Sequence, residues 1–323
     1  MRSSLSVLAL AAALTAAALP ASAQQYPVKP IRMVIGFPPG GGTDIVGRIV
    51  AQKLSEAFGQ QIMPDNRGGA AGQIGTEMVA RAQPDGYTML MAHVAALSIL
   101  PSLVPKLPYD PVRDLAPVTL VAIAPNLLVA HRGLYVVTVR SLIQLARARP
   151  GQLRFASPGA GSVQHLAGEL FKLQAKVDML HVPYKGSGQS TIDLLAGHVQ
   201  LVFDSVPAVF SHVKAGKLVA LAVTSPRRFA LLPDIRTLAE SGLPGFDMST
   251  WWGIVLPAGV NKDIAVKLHD ATVRILQQPD VKETMTNVGA EIVGSTPDEF
   301  AAFIRNERAK YAKVIKDANI KFE

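Results

Sequence analysis

The sequence predicts an α/β fold, built as two lobes or as one large domain. Three observations point there. Strand-like and helix-like segments alternate along most of the chain, the pattern of βαβ units and mostly parallel sheets. A strand that runs into a glycine-rich loop and then a helix occurs twice, once in each half of the chain. The length, 323 residues, exceeds what one hydrophobic core usually serves.

The chain opens on Arg2, an apolar stretch over 5–19, Pro20 and the small-residue triplet Ala21-Ser22-Ala23. That is the pattern of a secretory signal peptide cleaved after Ala23. It is too short for a comfortable membrane span, and no later stretch reaches the 18 uninterrupted apolar residues that one needs. A mature chain from Gln24 keeps 31 Lys and Arg (32 less Arg2) against 24 acidic residues, a formal charge of +7.

Residues 31–37 (IRMVIGF) are apolar and β-branched, hence a strand, and Pro38-Pro39-Gly40-Gly41-Gly42 ends it. Ile45, Val46, Ile49, Val50, Leu54 and Phe58 then recur at helical spacing, with Thr43 or Asp44 as N-cap and Gly59 as stop. Strands follow at 87–92, 118–122 and 127–130, and a helix at 139–149. The second strand, glycine loop and helix unit is 153–156, then Ser157-Pro158-Gly159-Ala160-Gly161-Ser162, then a helix carrying Leu166, Leu170, Phe171 and Leu173. Further strands are expected at 179–184, 200–204 and 218–224, with a helix at 189–196. The last fifty or so residues read as helix, the final one starting at Thr296-Pro297-Asp298-Glu299.

Composition narrows the function. Hydrophobic residues at 49%, charged residues at 17% and a mean hydropathy of +0.26 exclude a disordered chain. Basic residues are scattered without aromatic interleaving, so the pI near 9.7 does not signal nucleic acid. The absence of cysteine excludes disulfides, thiolate metal sites and cysteine nucleophiles. The seven histidines show no H-x-x-x-H or H-E-x-x-H spacing, so no metal site is expected, and no cofactor either. His181 reads as structural.

A strand, glycine loop and helix N-terminus aim backbone N–H groups and the positive end of the helix dipole at one spot, a ready-made anion site. Two such loops would let two lobes grip one anion. Neither loop holds Lys or Arg, which favours a small carboxylate held by uncharged donors. Nucleotide readings fail on spacing: the first loop has no following Gly-Lys-Ser/Thr, and Gly159-Ala160-Gly161 lacks the third glycine of a dinucleotide fingerprint. A hydrolase would have to use Ser162 and His165, with Asp204 as orienter. There is no G-x-S-x-G elbow, and Ser162 is explained as an N-cap. Trp251 and Trp252 fit either a ligand cleft or buried packing.

Eight segments then carry a family resemblance: FPPGGGTD (37–44), DNRGGAAGQIG (65–75), PDGYTML (84–90), LPYDPVRDLAPV (107–118), SPGAGS with HLAGELF (157–171), HVPYKG (181–186), GKLVALAVTS (216–225) and LPDIRTLAESGLPGF (232–246). Over essentially its whole mature length the chain resembles the Bug-type extracytoplasmic solute receptors, the periplasmic component of tripartite tricarboxylate transporters. The resemblance implies a two-lobed, type II-like periplasmic-binding-protein clamshell whose lobes are mostly parallel sheets flanked by helices. Lobe 1 would combine 24–126 with 251–323, and lobe 2 would be 127–250. It implies a monomer that binds a carboxylate, performs no chemistry, and delivers its ligand to a membrane permease; the alternative is a receptor that feeds a sensor or other partner protein. Carried over by position, Phe37, Gly41, Gly42, Thr43 and Asp44 would form the first wall and Ser157, Gly159, Ala160, Gly161, Ser162 and His165 the second. Asp204 would face the cleft as an acceptor for an amine or hydroxyl, or else cap the helix after it. Where many members carry polar residues, 92–97 reads AHVAAL, and Ala160 replaces a common Asn. Both departures lead us to expect a ligand with one carboxylate and a less polar far end.

Overall fold

The structure, a computed structural model, describes residues 26–321. The expected signal peptide lies outside them. The strands are β1 (Ile31–Ile35), β2 (Ile62–Asn66), β3 (Thr88–His93), β4 (Leu115–His131), β5 (Arg154–Ser157), β6 (Leu180–Pro183), β7 (Leu201–Ser205), β8 (Leu218–Val223), β9 (Ser249–Pro257) and β10 (Glu291–Ile292). The helices are α1 (Gly42–Phe58), α2 (Gln73–Ala80), α3 (Leu100–Leu103), α4 (Val139–Ala148), α5 (Val163–Ala175), α6 (Ser187–Ala196), α7 (Val206–Lys214), α8 (Lys262–Leu276), α9 (Pro279–Val288) and α10 (Pro297–Asp317).

One sheet runs through the molecule in the order β2-β1-β3-β9-β4-β7-β5-β6, with β8 and β10 also pairing to β4. The βαβ logic holds at its two ends, where β2-β1-β3 and β6-β5-β7 are parallel. The middle is antiparallel, because β4 and β9 run against the strands beside them. β4 also joins the two strands expected at 118–122 and 127–130, running straight through Pro125. The proline is tolerated because the strand changes partner there: Leu115 to Pro125 pair with β9, and Asn126 onward with β7. At that seam no continuous ladder needs its missing N–H.

Apolar side chains fill both faces. Val46, Val50 and Leu54 of α1 pack with Leu268 and Ile275 of α8 against β1, β3 and β9. On the opposite face, α10 contributes Phe300, Ile304 and Tyr311, beside the indole of Trp251. Trp251 packs edge-on to Phe300 and Phe303 and donates to Glu307 Oε2 (3.1 Å), so this tryptophan belongs to the core. In the second half, Leu194, Val206 and Val209 of α6 and α7 cover β7 and β4.

Several ends follow the sequence. Gly59 closes α1 in the left-handed region at φ 63°. Thr296 and Glu299 form a capping box at α10, and Ser162 caps α5 by accepting from the N–H of His165. The start of α1 differs: its N-cap is Gly41, not Thr43 or Asp44, and no side chain caps it. The carboxylate of Asp44 turns back instead to accept from the N–H of Gly40 (3.0 Å).

Candidate functional site

The two glycine loops line the same small spaces, and the first loop packs directly against the ends of β6 and β7. A Cβ on Gly42 would lie 2.5 Å from Ser205 Oγ and 3.0 Å from Trp252, and one on Gly186 would lie 2.9 Å from Pro38 Cδ. Only glycine lets the first loop approach β7 and α6 this closely. Between them is a niche of about 10 Å³, lined by Phe37, Gly41, Gly42, Thr43, His93, Pro158, Gln164, Ser187, Ser205 and Trp252. A chamber of about 210 Å³ shares Phe37 and Pro158 with it and adds Gly69, Ala70, Ala71, Gly159, Ala160, Pro183, Tyr184 and Lys185. Grooves of about 470, 560 and 780 Å³ exist elsewhere, but they lie on the surface and touch neither glycine loop. Size is therefore a poor guide here, and convergence of polar main chain is a better one.

Four helices start at the niche, each represented on its wall: α1 by Gly42 and Thr43, α5 by Gln164, α6 by Ser187, and α7 by its N-cap Ser205. Of these, α1, α6 and α7 have no side-chain cap. Each N-terminus presents first-turn N–H groups and roughly half a positive charge. No Lys, Arg, Asp or Glu lines the niche, so dipoles and neutral donors set its potential. Trp252 Nε1 donates to Thr43 Oγ1 (3.1 Å), leaving the Thr43 hydroxyl proton to donate elsewhere.

Of the residues expected from the sequence, Phe37, Gly41, Gly42 and Thr43 line the niche, and Gly159 and Ala160 line the chamber. The others stand behind the walls. Asp44 accepts from Gly40 N, Arg48 Nε (2.8 Å) and Asn66 Nδ2 (2.9 Å); these bonds outweigh its partial burial and hold its pKa below the usual value. Asn66 also donates to Phe37 O, which pins the first loop. Ser157 Oγ accepts from Gly159 N (3.2 Å) and lies 2.7 Å from His181 Nε2. Gly161 N donates to His165 Nδ1 (3.3 Å), and the His165 ring stacks on His181 at 4.2 Å. The two histidines thus brace the second loop from behind, and burial lowers their pKa values to about 4 (His165) and about 3 (His181).

The Ser162 hydroxyl accepts from the main chain of His165, and that imidazole is turned to Gly161. Ser162 and His165 therefore do not form a nucleophile and base pair. Asp204 is fully buried. Its Oδ1 accepts from Ser187 Oγ (3.0 Å) and Ser205 N (2.7 Å), so it ties the starts of α6 and α7 together, and Ser205 rather than Asp204 is the cap of α7. Residues 94–97 are buried in the core and line neither space, so their apolar character does not describe the ligand's surroundings.

Sequence reasoning missed His93, Pro158, Gln164, Ser187 and Ser205 on the niche wall, and it left Trp252 undecided. His93 is buried, its Nδ1 accepts from Ala95 N (3.1 Å), and desolvation takes its pKa down to about 3. Ser187 had a signal: it follows the strand β6 and Gly186, a third strand, glycine and helix junction.

The model for the tripartite tricarboxylate transporter family receptor matches residues 46–320. Protein BugT of Bordetella pertussis is 38% identical over 320 residues, covering 99% of this chain and 98% of that one. Among solved structures, R. palustris Rpa4515 with adipate superposes with a TM-score of 0.89 at 35% identity, covering 92% of this chain and 99% of that one. MatC (Rpa3494) from Rhodopseudomonas palustris with bound malate gives 0.86 at 31% identity, covering 90% and 100%.

Proposed function

The chain belongs to the tripartite tricarboxylate transporter receptor family, and from that premise we propose that it captures a small carboxylate between two lobes in the periplasm and hands it to a membrane permease. The observation that carries this reading is the meeting of four helix N-termini at one niche without a charged side chain. The anion is met by first-turn N–H groups, the Thr43 hydroxyl and the serines, and the rest of the molecule occupies the chamber beside Phe37. Adipate and malate in the related structures agree in kind and size.

Lobe 1 is taken as 24–126 plus 251–323 and lobe 2 as 127–250, which places the change of lobe where β4 exchanges β9 for β7. Ligand seated on one lobe draws the other closed because only the closed form satisfies the anion from both sides, and the shift can be no larger than that difference in affinity. The mature protein begins at Gln24, acts as a monomer, and performs no chemistry on its ligand.

The test is a thermal-shift screen of residues 24–323 against mono-, di- and tricarboxylates, followed by titration calorimetry. A ligand at a hundred times its Kd adds about 2.7 kcal/mol, which moves the midpoint of a chain this size by a few degrees. Ser162→Ala should keep binding, weakened by about 1–2 kcal/mol through its effect on the second loop. No response to any carboxylate from ligand-free protein, or ester turnover that vanishes with Ser162→Ala, overturns the reading.

A further inference from the structure

We infer that Gln164 determines specificity: its side-chain oxygen selects acids that carry a hydrogen-bond donor, hydroxyl or ammonium, on the carbon beside the carboxylate. The inference rests on the carboxylate reading above. Gln164 lines the niche, is 2% exposed, and its Oε1 has no hydrogen-bond partner among the described residues.

The orientation of this amide is fixed by a network of residues distant in sequence. Asn126 Nδ2 donates to Met248 O (2.9 Å), so Asn126 Oδ1 points the other way. That oxygen receives the Thr250 hydroxyl (2.8 Å) and Gln164 Nε2 (3.2 Å), and Gln164 Nε2 also reaches Thr250 Oγ1 (3.3 Å). Turning the Gln164 amide over would set its oxygen against Asn126 Oδ1, two acceptors face to face. Nitrogen therefore stays on the network, and oxygen is the free end.

A bare acceptor among helix N-termini is an anomaly in a site that otherwise offers donors. A carboxylate oxygen placed against Oε1 is repelled, whereas an O–H or N–H completes it. Gln164 lines the same niche as the helix starts that would meet the anion, so that donor must sit within a bond or two of the carboxylate. An acid lacking it leaves Oε1 buried and unpaired, a loss that corresponds to about tenfold or more in affinity.

For whichever chain length binds, each 2-hydroxy and 2-amino acid is titrated against its unsubstituted parent, such as L-lactate and L-alanine against propionate, or L-malate and L-aspartate against succinate. The expected result is a substituted acid bound about tenfold or more tighter than its parent, with Gln164→Met reducing that ratio to about threefold or less. Equal binding within every pair, preference for the parents, or a ratio unchanged in Gln164→Met overturns the inference and leaves the carboxylate reading standing. Failure of every acid overturns both. If Gln164→Met does not fold, the wild-type ratios decide alone.

Discussion

Asp204→Asn makes the stability of this protein respond to pH in a way that its burial dictates. Asp204 is fully buried, one oxygen accepts from Ser187 and Ser205, and Oδ2 has no partner among the described residues. Desolvation pushes its pKa from 3.8 up to about 7, and the hydrogen bonds offset only part of that. The folded protein thus holds a proton that the unfolded chain releases near pH 4. Below about pH 4 both states are protonated and the group has no effect. As pH rises from about 4 to about 7 the unfolded state gains by ionising, and stability is lost, reaching about 4 kcal/mol in the limit. Asparagine keeps an acceptor for Ser187 and Ser205 and cannot ionise. Urea unfolding of both proteins at pH 4, 5.5, 7 and 8.5 should show the variant gaining on the parent through that window and levelling off above about pH 7. A difference that is flat across pH refutes the argument, because it would mean the carboxylate is ionised in both states.

Two further outcomes are expected. Gly42→Ala places a methyl group 2.5 Å from Ser205 Oγ, so the first loop must move away from the end of β7; ligand affinity should fall by about 1–3 kcal/mol in calorimetry, and unchanged affinity would show that this close approach is not needed for binding. Burial lowers the pKa values of His93, His165 and His181 to about 3, 4 and 3, aided at His165 by Lys172 and at His181 by His165 and Lys172. These groups stabilise the fold above the ordinary histidine pKa of 6.5, and that contribution is lost as pH falls from there toward 4, opposite in sign to Asp204. His165→Asn should flatten the acid limb of a stability profile between pH 6.5 and 4; a limb as steep as the parent's would count against a neutral buried ring.

Both glycine loops and their flanking strands and helices were legible in the sequence, because proline, glycine and helical spacing are local signals. What escaped was relational. The strands expected at 118–122 and 127–130 are one strand, β4, which changes partner beside Pro125. The strand β9, with its adjacent tryptophans, is paired on both sides, so neither its alternation nor its turns announce it. Ser205 becomes part of the niche only because β7 ends opposite Gly42, and no triple glycine marks the start of α7. Asp44 has the look of a cleft residue, yet Arg48 and Asn66 recruit it to hold the loop. The polarity of Gln164 depends on Asn126, Met248 and Thr250, which no window of sequence contains together.

Four helix starts converge on the niche, and this separates grip from taste. Any sequence that folds the four helix starts into place supplies the same N–H groups, so side chains around the chamber are at liberty to drift without loosening the hold on the anion. Retargeting this scaffold to a new acid, as a biosensor for example, should therefore leave positions 41–43 alone and diversify Ala70, Ala71, Ala160, Tyr184 and Lys185 together with Gln164.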